Sequence, residues 1–337
     1  MRGSFLEQKV VFVKQQQTPG NVAGRSYNSL IFALTLTSVY LFWGGTFLAM
    51  KIGMETIPVF LMVAARALSA GFILYGSCRL SGQPRPTAIE WRNGAIVGAL
   101  LLVGSNAVVT WAVQLVPTSI ASVVVATVPL WIASYSFLAR LQKPSVGSIL
   151  GIFLGLCGIV VLVWNPGEIA AHSLNLFGIF ALLFASLSWS TGAIYSRTAR
   201  MPATPLLSTG VQLIAGGVML TVIALIHGDF SGFSLAQVSL RSWLAFGYLV
   251  VFGSLVGFAS FAWLFKNVKP TIASTYAFVN PIVAVFLGWF FAGEQLGANA
   301  FVSAAIIIAA VFCITVFGSG HGAKTAAETG EGAAAEE

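Results

Sequence analysis

Apolar residues run through this chain in blocks of about 20, and polar positions gather between the blocks. The runs lie at about 30–50, 59–78, 94–115, 118–138, 145–164, 176–197, 204–226, 242–265, 271–292 and 298–317. About 20 apolar residues, each rising about 1.5 Å along a helix, cross the roughly 30 Å hydrocarbon layer of a bilayer. The runs lack the alternation of a membrane barrel, and a helix satisfies every backbone amide within its own segment. The pattern therefore predicts an all-α integral membrane protein with ten transmembrane helices. The stretch 1–29 has Val10–Val13 as its apolar core, too short for a signal peptide, and reads as a basic, poorly ordered tail. The stretch 318–337, rich in Ala, Gly and Glu, reads as a disordered tail.

Composition agrees. Of 337 residues, 57% are hydrophobic and 8% charged, with a mean hydropathy of +0.89. A water-facing surface needs about 25% charged residues, so the outer surface of this chain meets lipid. The net charge of +7 resides in short clusters between apolar runs and forms no stripe of the kind that binds nucleic acid. Counted across alternating loops, 14 Lys and Arg fall on one side and two, Lys51 and Arg241, on the other; Arg66 lies inside a span. By the positive-inside rule, both termini are expected in the cytoplasm. Cys78, Cys157 and Cys313 have no CxxC neighbour, and His172, His227 and His321 lie in loops or the tail, so no metal or cofactor is expected.

The chain repeats itself. Trp111, Ala121–Ser122 and Pro129 recur as Trp263, Ala273–Ser274 and Pro281 at a constant shift of 152. Trp43 pairs with Trp189, and Arg66 with Gln212, at a shift of 146. The first half is then 30–165 and the second 176–317, each with five helices. A repeat with an odd number of spans enters the membrane with opposite polarity in its two copies. Two inverted five-helix repeats are thus expected, an arrangement that lets transporters expose one central site to either side.

At these residues the sequence resembles the drug/metabolite transporter superfamily, in particular its ten-helix EamA-type permeases. The resemblance rests on Trp43-Gly44-Gly45-Thr46-Phe47, Arg66, Ser119-Ile120-Ala121-Ser122 leading to Pro129, and Tyr276 to Pro281 followed by Gly293-Glu294. It implies transport of amino acids or other small metabolites across a bacterial inner membrane, driven by exchange or a proton gradient. The sequence departs from the family after its fourth span, where Leu141-Gln142 stands in place of Gly-Glu.

Arg66, about 10 Å inside its span, stands out because an intramembrane cation costs roughly 2.5 kcal/mol or more. It reads as a dock for a substrate carboxylate, as a clamp to Glu294, Glu55 or backbone carbonyls at the outer end, or as a snorkelling cation. Gln212 is its neutral repeat mate. Pro129 and Pro281 are expected as hinges or packing kinks, with Asn280 beside the second. Trp43, Trp111, Trp189 and Trp263 lie within spans and read as walls of an apolar solute site or as packing. Asn106, Ser122, Thr127, Ser254, Ser274 and Tyr276 read as uncharged hydrogen-bonding groups of the site or as helix–helix glue. Gly147, Gly151 and Gly155 form a small-residue face for packing within the fold or for a homodimer.

These features favour a carrier of a small zwitterionic or neutral solute, such as an amino acid or aromatic compound, with Glu294 or Glu55 as candidates for coupling. A flippase for a lipid-linked metabolite is the nearest alternative. A membrane enzyme is disfavoured, since no Asp, Glu or His lies well inside a span.

Overall fold

Polar residues at the ends of the apolar runs start and stop the helices. Thr87 and Glu90 form a capping box, in which Thr87 N donates to Glu90 Oε2 (2.7 Å) and Glu90 N to Thr87 Oγ1 (3.4 Å). Asn175, Thr204 and Ser239 cap three further helices through their side-chain oxygens. Pro205 follows Thr204 in the first turn, where its missing N–H costs nothing, and Gly228 closes the same helix at φ 85°.

The computed structural model describes residues 29–116, 121, 124–138, 145–163, 175–292 and 298–317, and these hold helices and no strand. We number the main helices α1 (Ser29–Gly53), α2 (Val59–Leu80), α3 (Ala88–Ala112), α4 (Val128–Leu138), α5 (Val146–Val163) and α6 (Leu176–Thr198). There follow α7 (Pro205–His227), α8 (Leu240–Asn267), α9 (Tyr276–Ala292) and α10 (Ala298–Val316). Among the described residues, six helices are long and apolar enough to cross a membrane: α1, α2, α3, α6, α7 and α8. The hydrophobic pattern predicts ten. Nothing in the sequence reading anticipated that α3 and α8 each widen into π-helix, at Ala99–Ala107 and Leu249–Val256.

The packing has a simple order. α2 lies along α7, and α5 along α10. α1 packs on α8 and α9, as α6 packs on α3 and α4. α2 also meets α8, as α7 meets α3. Exchanging α1–α5 for α6–α10 maps this set of contacts onto itself.

Hydrogen bonds between connections define the two ends of the bundle. At one end Thr204 Oγ1 donates to Gln83 Oε1 (2.6 Å) and Asn93 Nδ2 to the Arg200 carbonyl (2.9 Å). Arg79, Arg85, Arg92, Arg197, Arg200, Lys266 and Lys269 gather there, and we call it the basic end. At the opposite end, Asp229 Oδ2 accepts from Leu61 N (2.9 Å) and Ser242 Oγ donates to the Ile52 carbonyl (3.0 Å).

Large apolar side chains such as Phe72, Phe180, Phe184 and Ile308 remain exposed on the outside, as lipid contact allows. Burial away from water does not drive helix–helix association in such a setting. Close backbone approach does. Gly147 and Gly151 of α5 face α10, and Gly155 meets the Phe278 ring, so this small-residue face is used within the fold. At Gly98 of α3, an added Cβ would lie 2.5 Å from the Gln212 carbonyl and 2.9 Å from Gly216 N on α7. Backbone cannot step aside as a side chain can. Gly98→Ala is expected to destabilise the protein by about 1–3 kcal/mol, the usual cost of overpacking. Thermal unfolding of the detergent-solubilised variant checks this, and an unchanged midpoint would contradict the packing.

Candidate functional site

The centre of the bundle is aromatic. Trp43 of α1 and its repeat mate Trp189 of α6 meet edge to face, with ring centroids 5.4 Å apart. Phe258 and Phe261 of α8 and Tyr276 of α9 pack on Trp43 at 5.4, 5.2 and 5.0 Å. Phe261 also touches Trp189 at 5.2 Å. Edge-to-face contacts of this kind add about 0.5–1.5 kcal/mol each beyond burial. The Trp43 indole N–H donates to the Gly253 carbonyl (3.0 Å), in the π segment of α8.

On the side of this layer toward the end opposite the basic one lies a cavity of about 100 Å³. Its walls combine Trp43, Trp189, Phe258 and Tyr276 with Arg66, Ser105, Asn106, Ser186 and Asn280. Thr46 and Met50, near the end of α1, also line it, with Val109 and Gly253. Arg66 is 3% exposed, and its Nη2 donates to Asn106 Oδ1 (2.9 Å). The π segment Ala99–Ala107 carries Asn106 to that position. Among the described residues no carboxylate pairs with Arg66, for the two ion pairs are His227–Asp229 and Arg241–Glu55. A guanidinium offers five N–H donors, so donors remain for an acceptor inside the cavity. Asn280, its amide nitrogen turned toward them, donates to the carbonyls of Tyr276 (3.1 Å) and Tyr40 (3.2 Å).

A second cavity, of about 190 Å³, lies on the basic side of the aromatic layer. Gln212, Ser208, Ser196, Arg197, Phe261 and Phe265 contribute to its walls. The two cavities correspond through the repeat. Shifting Met50 and Arg66 by 146 gives Ser196 and Gln212, and shifting Val109 by 152 gives Phe261; all three partners line the second cavity. Gly253 of the first likewise corresponds to Leu101 of the second.

Of the residues singled out by sequence, Trp43, Arg66, Asn106, Trp189, Tyr276 and Asn280 thus converge on the first cavity, and Gln212 lines the second. Trp111 instead packs on Phe177 at 5.7 Å in a separate apolar cluster. Trp263 is partly buried against the main core and lines neither cavity. Ser274 is fully buried and donates to the Thr271 carbonyl (2.9 Å). Thr127 donates to the Val124 carbonyl (2.6 Å), while Ser254 is buried with its hydroxyl unpartnered. Pro129 sits in the first turn of α4 and Pro281 inside α9. Only the second removes a bond from the middle of a described helix. Glu55 is half-exposed at the end of the bundle, 3.6 Å from Arg241 and away from the cavity. Ser122 and Glu294 lie outside the described residues.

Sequence reading missed Ser105, Ser186 and Phe258. Phe258 carried a usable signal, because it is the repeat mate of Asn106 at the shift of 152. Ser186 lies one helical turn before Trp189, on the same face of α6.

The sequence matches the EamA-like transporter family twice, over residues 30–164 and 176–316. It is 36% identical to the uncharacterized inner membrane transporter YedA of Escherichia coli K12, covering 83% of this chain and 89% of that one. The uncharacterized transporter YoaV of Bacillus subtilis is 26% identical, over 84% of this chain and 96% of its own. Protein PecM of Dickeya dadantii is 28% identical, over 79% and 88%. One solved crystal structure shares the fold at a TM-score of 0.71 and 19% identity, with 86% of this chain and 98% of that chain aligned.

Proposed function

The chain belongs to the EamA-like transporter family, and from that premise we propose that it carries a small zwitterionic or neutral solute by alternating access between two inverted five-helix halves. The observation that carries the proposal is Arg66: a buried cation without a carboxylate partner among the described residues, facing a cavity walled by aromatic rings. Such a charge is costly unless a ligand or the cavity itself satisfies it. A solute with one carboxylate and an apolar or aromatic body suits these walls. A doubly charged phosphate ester is poorly served by a single guanidinium.

Three observations support the inverted halves. The family match falls twice on the chain. The helix contacts are preserved when the halves are exchanged. Met50, Arg66, Val109 and Gly253 of the first cavity have their repeat mates on the wall of the second. In this reading the basic end faces the cytoplasm, and reporter fusions at the two termini should both report that side. Fusions reporting opposite sides would remove the scaffold on which alternating access depends.

Among the described residues no Asp or Glu lines either cavity. Exchange or facilitated flux therefore fits the site better than proton coupling through it. In liposomes, solute counterflow is expected to continue at an unchanged rate when an imposed proton gradient is collapsed. A collapse of transport with the gradient would instead implicate a carboxylate near the ends, such as Glu294 or Glu55. The solute itself is found by profiling metabolites exported from cells that overexpress the chain, followed by uptake of the best candidate in liposomes of purified protein.

A further inference from the structure

At the basic end two cations bind across the bundle. Arg197, in the last turn of α6, donates through Nη1 to the carbonyls of Phe265 and Val268 (2.7 Å to the latter), where α8 ends. Lys266 of α8 donates to the Ala203 carbonyl between α6 and α7. A cation at a helix C-terminus is favoured both by the unpaired carbonyls and by the negative end of the helix dipole. These bonds tie α6 to α8 beside the second cavity, which Arg197, Phe265, Lys266 and Ala203 all line.

Transposing this arrangement through the repeat identifies its counterpart. Arg197 corresponds to Lys51 at the shift of 146, and Phe265 and Val268 correspond to Val113 and Val116 at the shift of 152. Lys51 lies in the last turn of α1, as Arg197 does in α6. The ends of α1 and α3 are already neighbours, since Thr110 Oγ1 lies 3.4 Å from Met50 Sδ. Yet Lys51 is exposed, and among the described residues it has no hydrogen bond or ion pair. The cation–carbonyl tie is made at one end and open at the other.

The aromatic centre shows the same asymmetry. Trp43 N–H is docked on the Gly253 carbonyl. Its mate Trp189 has the Leu101 carbonyl as the corresponding acceptor, but its buried N–H makes no hydrogen bond among the described residues.

We propose that Lys51 is a gating residue: when the second cavity opens, the Arg197 tie parts and Lys51 docks on the carbonyls of Val113 and Val116, sealing the first cavity. Arg197 and Lys51 are thus alternative latches, one for each side. The inference rests on the inverted-repeat reading given above and extends it to a residue outside the solute site.

The test measures labelling of single cysteines by a membrane-impermeant maleimide in sealed vesicles of either orientation, with Cys78, Cys157 and Cys313 replaced by Ser. Thr46→Cys reports the first cavity and Ser208→Cys the second. Removing the closed latch with Arg197→Met is expected to raise labelling at Ser208→Cys relative to Thr46→Cys by about tenfold, the effect of losing a charge-assisted hydrogen bond. Arg197→Lys should restore much of the original ratio. Lys51→Met, an exposed substitution that folding should tolerate, is expected to shift the ratio about tenfold the other way, while Lys51→Arg leaves it near the starting value.

Different failures have different meanings. If both cysteines label from their own sides but the ratio ignores Lys51→Met and Arg197→Met, the latches are overturned and alternating access stands. If Ser208→Cys stays unlabelled in every background while Thr46→Cys labels fully, alternating access itself is overturned.

Discussion

Arg66→Met is expected to lower solute affinity by about 10- to 100-fold while leaving the unfolding midpoint unchanged or raised by a few degrees. The loss follows from removing charge-assisted hydrogen bonds worth about 1.5–3 kcal/mol to a bound carboxylate. The stability change has the opposite sign because the substitution also removes a cation that costs about 2.5–3.5 kcal/mol within a span. That gain offsets the lost bond to Asn106 (2.9 Å). A structural clamp behaves differently: breaking a buried pair leaves the other charge stranded and destabilises by about 3–5 kcal/mol. Measuring liposome uptake and thermal unfolding on the same preparation separates the two roles. Arg66→Lys sharpens the comparison, since an ammonium keeps the charge but lacks the planar fork that grips a carboxylate. A Lys variant with full affinity would remove the bidentate role.

The second large effect is expected at Phe261. Its ring lines the second cavity while touching Trp43 and Trp189, which line the first, so it forms part of the partition between them. It also stacks on Phe265 at 4.5 Å and is 3% exposed. Phe261→Ala should destabilise the protein by about 3–5 kcal/mol through lost contacts and the void left behind. It should also join the two cavities, so that preloaded liposomes lose solute without a counter-solute outside. Phe261→Leu keeps most of the volume and should show the leak at a smaller stability cost. A tight Phe261→Leu variant with wild-type exchange would place the barrier elsewhere. The repeat adds a reason for the choice, for the mate of Phe261 is Val109, a smaller side chain on the wall of the first cavity. In this conformation the layer is bulky toward the basic side and slighter toward the other.

How far the sequence foretold this site depended on the kind of residue. Arg66 was legible because charge inside an apolar run is rare and costly, and the structure finds it buried at a cavity. Trp43 and Trp189 were legible as a repeated pair, and they meet at the centre. Trp111 and Trp263 satisfied the same criterion, yet one packs on Phe177 and neither lines either of the two cavities. Nothing local separates the two pairs. In a soluble helix a polar stripe tells which face looks outward, but here the outward face meets lipid and is as apolar as the core. The hydrophobic pattern therefore marks a segment without fixing its rotation.

The π segments were equally hidden. Ala99–Ala107 and Leu249–Val256 read as ordinary apolar helix, and their wider turns place Asn106 and Gly253 against the cavity. Such a register change reflects the neighbours each turn packs on, which no window of sequence contains.

The sequence by itself determined the solvent, the all-helical class and the duplication: apolar runs matched to bilayer thickness force helices, and matched Trp, Ala-Ser and Pro positions reveal two copies. Tertiary structure alone decided which residues face inward, that two cavities flank one aromatic layer, and that Arg197 is tied while Lys51 has no partner among the described residues. The reason is physical. Hydropathy and backbone satisfaction act along a single segment, whereas helix rotation and cation–carbonyl contacts arise only between segments brought together.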